Sequence, residues 1–137
     1  GELALIIVDV DLFKGINDRY GHAGGDFVLK AIAEELRKAV REDDVVARWG
    51  GDEFMLMLPR TDHENALNVA ERIRTTIAKK KYQYEQYSFQ VTVTLGLYVS
   101  NYSGASVEEL IKQADILMYQ GKRTGRNSVV TAHTMLS

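Results

Sequence analysis

Three observations make the chain an α/β or α+β sandwich, with one central sheet and helices packed on its faces. A continuous apolar run, Leu3-Ala4-Leu5-Ile6-Ile7-Val8, suits a strand buried on both sides. Three other segments place apolar residues at helical spacing, and Phe89 to Val99 alternates at period two as the clearest strand. With 137 residues and 45% hydrophobic content, residues 1–137 form one domain with a real core and no room for a second.

The elements follow in order. After the first strand, Asp9-Val10-Asp11 brings two carboxylates to a strand mouth, and Asp11 is placed to cap the next helix. Leu12-Phe13-Lys14 then starts a short helix whose free N–H groups can receive an anion. Val28, Ile32, Leu36 and Val40 mark one face of an amphipathic helix from Gly25 to Val40. Val45 to Trp49 and Phe54 to Leu58 read as hairpin strands, with Gly50-Gly51 supplying the positive φ of a tight turn. Thr61 with Glu64 forms a capping box ahead of Ala66, Val69, Ile73 and Ile77, and Ser106 with Glu109 repeats the device before Leu110, Ala114, Leu117 and Met118. Tyr82 to Tyr87 reads as a turn or hairpin arm, and Ser128 to Thr131 as a short edge strand.

Composition excludes several classes. The net charge of -2 and pI near 5.9 argue against a general binder of nucleic acid or anionic membrane. The absence of cysteine rules out disulfides and thiolate metal sites and suits a cytoplasmic location. No apolar run approaches the roughly 20 residues of a membrane-spanning helix.

Chemistry concentrates in Arg48-Trp49-Gly50-Gly51-Asp52-Glu53-Phe54, where two glycines precede adjacent carboxylates. Alone this is most simply a solvated turn. If the first strand lies beside that hairpin, however, Asp9, Asp52 and Glu53 converge, and three carboxylates repel one another unless cations bind between them. Oxygen ligands without thiolates favour Mg²⁺ or Mn²⁺, ions that typically act on phosphates.

Four ordered motifs make the chain similar to the GGDEF family, the diguanylate cyclases. They are Asp9-Val10-Asp11-Leu12-Phe13-Lys14-Gly15-Ile16-Asn17-Asp18, Tyr20-Gly21-His22-Ala23-Gly24-Gly25-Asp26, Gly50-Gly51-Asp52-Glu53-Phe54, and Ala114-Asp115 to Tyr119 with Lys122 and Gly125-Arg126-Asn127. The chain opens at Gly1 without the short Asp-x-Leu-Thr-Gly-Leu-x-Asn-Arg-Arg segment that members usually carry before the first strand. Trp49, Thr94 and Gly121 replace the frequent Tyr, Ser and Ala, and none of these changes touches a group expected to do chemistry.

The resemblance implies a mostly antiparallel, five-stranded, palm-like sheet and the condensation of two GTP into cyclic di-GMP with release of two pyrophosphates. It implies two Mg²⁺ or Mn²⁺ per site, held by Asp9, the Val10 carbonyl, Asp52 and Glu53, with Glu53 either a ligand or the acceptor of the hydroxyl proton. Backbone at Phe13 and Lys14 would approach the triphosphate, with Lys122 and Arg126 at its terminal phosphates. If their helix continues, these two basic residues lie one turn apart, although composition alone gives only a basic helix end. Asn17 and Asp26 would hold the base, since a carboxylate accepts from the two donors on the guanine edge and repels adenine. Their plain alternatives are a turn and a helix cap, and His22 reads as a structural hydrogen-bonder outside the site.

Arg41-Glu42-Asp43-Asp44 would ordinarily be a solvated helix end. Arg41 and Asp44 nevertheless fall on the register of the family's Arg-x-x-Asp product-inhibition site, which a second arginine usually completes. The resemblance further implies a homodimer, because each domain binds one GTP, and a sensor or membrane domain elsewhere in the full-length chain. A noncatalytic module that binds GTP or cyclic di-GMP is the alternative, opposed by an intact signature; a cyclase making mixed products is opposed by Asp26.

Overall fold

A computed structural model describes residues 2–100 and 106–133. Five strands form one sheet in the order β2 (Val45–Arg48), β3 (Glu53–Pro59), β1 (Leu3–Val10), β6 (Val93–Ser100) and β7 (Val129–His133). β1 is antiparallel to both neighbours, β2 is antiparallel to β3, and β7 runs parallel to β6, so the sheet is mostly antiparallel. The helices are α1 (Phe13–Ala39), α2 (His63–Lys79) and α3 (Val107–Arg123). A separate hairpin joins β4 (Tyr82–Tyr84) to β5 (Tyr87–Phe89).

The run at β1 is apolar throughout because both of its faces are covered. Ala4, Ile6 and Val8 pack with Val28 and Ile32 of α1 and Ile73 and Ile77 of α2, whereas Leu5 and Ile7 pack with Leu110, Ala114 and Met118 of α3. Each fully buried Leu or Ile contributes about 1.5–3 kcal/mol. β1 is thus fixed at the centre, and its carboxyl end carries Asp9 and Val10 to the sheet margin.

Several sequence expectations are corrected. α1 begins at Phe13 rather than Gly25, and its one break is Gly21, at φ 78° and ψ 172°. The apolar period is visible only beyond that break. Thr61 does not cap α2: Asp62 does, accepting from the Asn65 amide at 2.9 Å, while the Thr61 hydroxyl donates to Pro59 O and accepts from Arg41. Ser106 caps α3 as expected, accepting from the Glu109 amide at 3.1 Å. The stretch from Phe89 to Val99 is not one strand, because residues 90–92 leave the ladder and the Thr92 carbonyl accepts from the Asp11 amide. The signature turn uses no positive φ at Gly50 or Gly51, and closes instead through Trp49 N and Gly50 N donating to Glu53 O. No described helix is long and apolar enough to cross a membrane.

Candidate functional site

The site lies where β1 ends and its antiparallel neighbour β3 begins. Asp9 stands opposite Glu53 in the ladder, and the Val10 amide donates to the Asp52 carbonyl at 3.1 Å. Burial first, then the charges of Asp52 and Glu53, push the Asp9 carboxyl up to about 7 against the opposing pull of Lys122. Glu53 is also raised, by burial and by the charges of Asp115 and Asp52. Asp115, on α3, is itself raised by burial. Such mutual repulsion is what a divalent cation relieves.

Convergence is nonetheless incomplete. Among the described residues, no three carboxylates or histidines come close enough to cage a metal ion by themselves. What is present is an ammonium: Lys122 Nζ lies 3.3 Å from Asp9 Oδ2, 3.3 Å from the Val10 carbonyl and 2.8 Å from Asp11 Oδ1. Asp9 Oδ1 is buried with no hydrogen-bond partner. An orphaned carboxylate oxygen beside a carbonyl and two further acids fits a hard divalent ion, which needs only one or two carboxylates when substrate phosphates complete its shell. Asp9, Val10 O, Asp52 and Glu53 are the residues that could hold it.

Asp11 is not the helix cap that its position suggested. Its buried carboxylate accepts from Thr92 Oγ1 at 2.7 Å, Thr94 Oγ1 at 2.6 Å, Lys122 Nζ, and the Asn127 amide at 3.0 Å. Although burial works to raise it, those hydrogen bonds hold the Asp11 carboxyl below its ordinary range. In the sequence Thr92 and Thr94 share a period-two spacing, which was the available signal for this role, although only Thr94 lies on β6.

The helix start at Leu12 lacks a side-chain cap, and Leu12 itself is left-handed at φ 55°. The first-turn amides, which include Phe13 and Lys14, therefore have no side-chain acceptor, consistent with anion reception. Lys14 is exposed. Arg126 does not share a helical turn with Lys122: α3 ends at Arg123, Arg126 adopts φ 62°, and its amide donates back to Gly121 O.

Asp26 is exposed on the second segment of α1 and lines a cavity of about 350 Å³ with Leu29, Lys30, Arg37, Val46, Arg48 and Phe54. A volume of that size suits a small ligand. Asn17 does not line it. Its carboxamide instead sits over Gly25, next to Asp26, and a Cβ added at Gly25 would lie 1.9 Å from Asn17 Oδ1. Arg48, given no role from sequence, donates to the Gly50 carbonyl at 2.9 Å and to the Gly51 carbonyl, so it clasps the signature turn.

Arg41 and Asp44 form an organised pair in which the Arg41 side chain stays 55% exposed. Arg41 Nη2 donates to Asp44 Oδ1 at 3.1 Å, Pro59 O at 2.7 Å and Thr61 Oγ1 at 2.8 Å, and the Asp44 carboxylate is 4% exposed. The Asp44 hydrogen bond and charge raise Arg41 further above its ordinary value. Both residues line a cavity of about 390 Å³ with Arg60 and Arg72, two arginines that sequence reasoning could not select. Pro59 pairs with Leu3 whereas Glu53 pairs with Asp9, so the two sites lie at opposite ends of the ladder, about 20 Å apart.

The family model described as diguanylate cyclase, GGDEF domain, matches residues 1–128. Diguanylate cyclase A of Treponema denticola is 38% identical over 134 residues, covering 98% of this chain and 36% of that protein. Diguanylate cyclase DgcM of Escherichia coli is 43% identical over 132 residues, covering 96% and 31%. The chain therefore spans about a third of the length of these curated relatives. Among solved structures, the GGDEF domain of DgcB from Caulobacter crescentus in complex with c-di-GMP superposes with a TM-score of 0.90 at 29% identity, covering 95% of this chain and 77% of that one. Diguanylate cyclase SiaD from Pseudomonas aeruginosa, in complex with its activator SiaC, gives 0.90 at 35% identity, covering 96% and 50%.

Proposed function

This chain belongs to the GGDEF family, and from that premise we propose that it is the catalytic domain of a diguanylate cyclase, condensing two GTP into cyclic di-GMP and two pyrophosphates. The observation that carries the reading is the pairing of Asp9 with Glu53 at the mouth of the sheet, beside an uncapped helix start and a lysine. In each half reaction a ribose 3′-oxygen bonds to the α-phosphorus of the other GTP as the bond to pyrophosphate breaks, and the hydroxyl proton passes to a base. Glu53, at the tip of the hairpin opposite Asp9, is either that acceptor or a further metal ligand. Asp9, Val10 O and Asp52, with Glu53 where it is not the base, would hold two Mg²⁺ or Mn²⁺, which would supply Lewis acidity at the hydroxyl and charge neutralisation at the leaving group.

Phe13 and Lys14 backbone, Lys122 and Arg126 bind the triphosphate, while Asp26 and Asn17 receive the guanine. One nucleotide per domain requires two domains facing each other across a two-fold axis. Arg41 and Asp44, joined by Arg60 and Arg72 at the same cavity, bind product and slow the reaction. A sensor or membrane domain elsewhere in a longer protein supplies the input. Incubation with GTP and Mg²⁺ or Mn²⁺ at high protein concentration should yield cyclic di-GMP by mass, with product formation per protein rising with concentration. Bound but unconverted GTP at every concentration would leave only a nucleotide-binding module.

A further inference from the structure

Lys122 touches the same two groups assigned to the metal, the Asp9 carboxylate and the Val10 carbonyl. Its side chain is largely enclosed, with 16% exposed, and the shortest contact of the ammonium is to Asp11. The two acids differ in what they would lose if the lysine moved. Asp11 keeps Thr92, Thr94 and the Asn127 amide as donors, and so remains satisfied. Asp9 keeps nothing comparable: among the described residues Lys122 is its one basic partner, and its second oxygen is buried without a donor. A cation that leaves this position leaves Asp9 without its charge partner unless another cation or a proton takes its place. A divalent ion and an ammonium on the same carboxylate and carbonyl also repel each other strongly in a site of lowered dielectric.

We propose that Lys122 is a placeholder cation, parked by Asp11 on the Asp9 and Val10 oxygens, which excludes the divalent ion until nucleotide phosphate draws the ammonium away. The proposal rests on reading Asp9 and Val10 as metal ligands. Lys122 then has two stations: the carboxylates in the nucleotide-free protein, and the phosphates in the loaded one. Metal and nucleotide enter together, and the nucleotide-free domain is spared both unpaired buried acids and a bare metal centre.

The test is Mn²⁺ binding without nucleotide, followed by electron paramagnetic resonance of the free ion. Lys122→Met removes the ammonium at nearly constant length, and Lys122→Gln keeps a donor for Asp11 should the methionine protein fail to fold. Either folded variant should bind Mn²⁺ at least about tenfold more tightly than the parent, and Mn²⁺ alone should raise its melting temperature but not the parent's. The gain should vanish when Asp9→Asn is added. Equal Mn²⁺ affinity in variant and parent, with the parent still taking up Mn²⁺ alongside a non-hydrolysable GTP analogue, overturns the placeholder and spares the metal assignment. Failure of every protein to bind Mn²⁺ with or without that analogue overturns both, as does a gain that survives Asp9→Asn.

Discussion

At the scale of single residues, the carboxylates at the hairpin tip contribute charge rather than core volume. Asp52→Ala and Glu53→Ala should each lower turnover by at least about a hundredfold while changing stability by less than about 1 kcal/mol. A steady-state assay beside a thermal melt checks this; wild-type-like turnover in both proteins would remove the metal assignment. Tyr82 gives a contrasting case. Its ring is 1% exposed, its hydroxyl is buried without a hydrogen-bond partner, and burial followed by the charge of Glu35 pushes the phenol up to about 12. Tyr82→Phe removes an unpaired polar atom, so stability should be unchanged or improved by about 1 kcal/mol. The sign of the pH effect follows from the raised value: the unfolded phenol ionises from about 10 upward while the folded one resists, so the parent loses stability between about pH 10 and 12. The phenylalanine protein should lack that loss in alkaline denaturation curves.

At the scale of elements, the bend in α1 sets the distance between the two residues assigned to the base. Gly21 occupies a backbone region essentially closed to other residues, so Gly21→Ala should cost about 1–3 kcal/mol. Asn17 and Asp26 lie on opposite sides of the bend, so GTP affinity should fall with it, measurable by calorimetry beside a denaturant melt. Affinity retained after that loss of stability would show that the bend does not position the base site. The same helix shows where local pattern stops informing. Val28, Ile32 and Leu36 repeat along a face buried against the sheet, so the second segment is legible. The first segment, about two turns long, buries only Ile16 before the break, leaving no period to read. Thr61 matched a cap but is held by Arg41, from twenty residues away, and no local rule contains that contact. β1 was legible because burial on both faces leaves a continuous apolar run. Lys122 and Arg126 lost their shared turn because a left-handed backbone follows the helix end.

At the scale of the whole molecule, the proposed catalytic residues and the proposed product site lie at opposite ends of one ladder. Arg41→Ala should leave initial turnover near the parent's and weaken cyclic di-GMP binding by at least about tenfold, so that product no longer stalls the reaction. Calorimetry with the inactive Asp52→Ala background isolates that binding, and unchanged affinity would return Arg41 to an ordinary structural role. The family motifs made the residue list legible, but the partnership of Asp11 with Lys122 depended on tertiary closure. That closure bears on how the protein is made. Asp11 gathers its donors across separations of 81, 83, 111 and 116 residues, and the ordering of such distant pairs dominates the folding barrier. During synthesis, a chain emerging from the ribosome carries Asp9 and the signature hairpin long before residue 127 appears. The cluster around Asp11, and with it the candidate site, is thus among the last parts of the fold to be completed, and a chain cut before residue 122 would lack both Lys122 and the Asn127 amide that hold it.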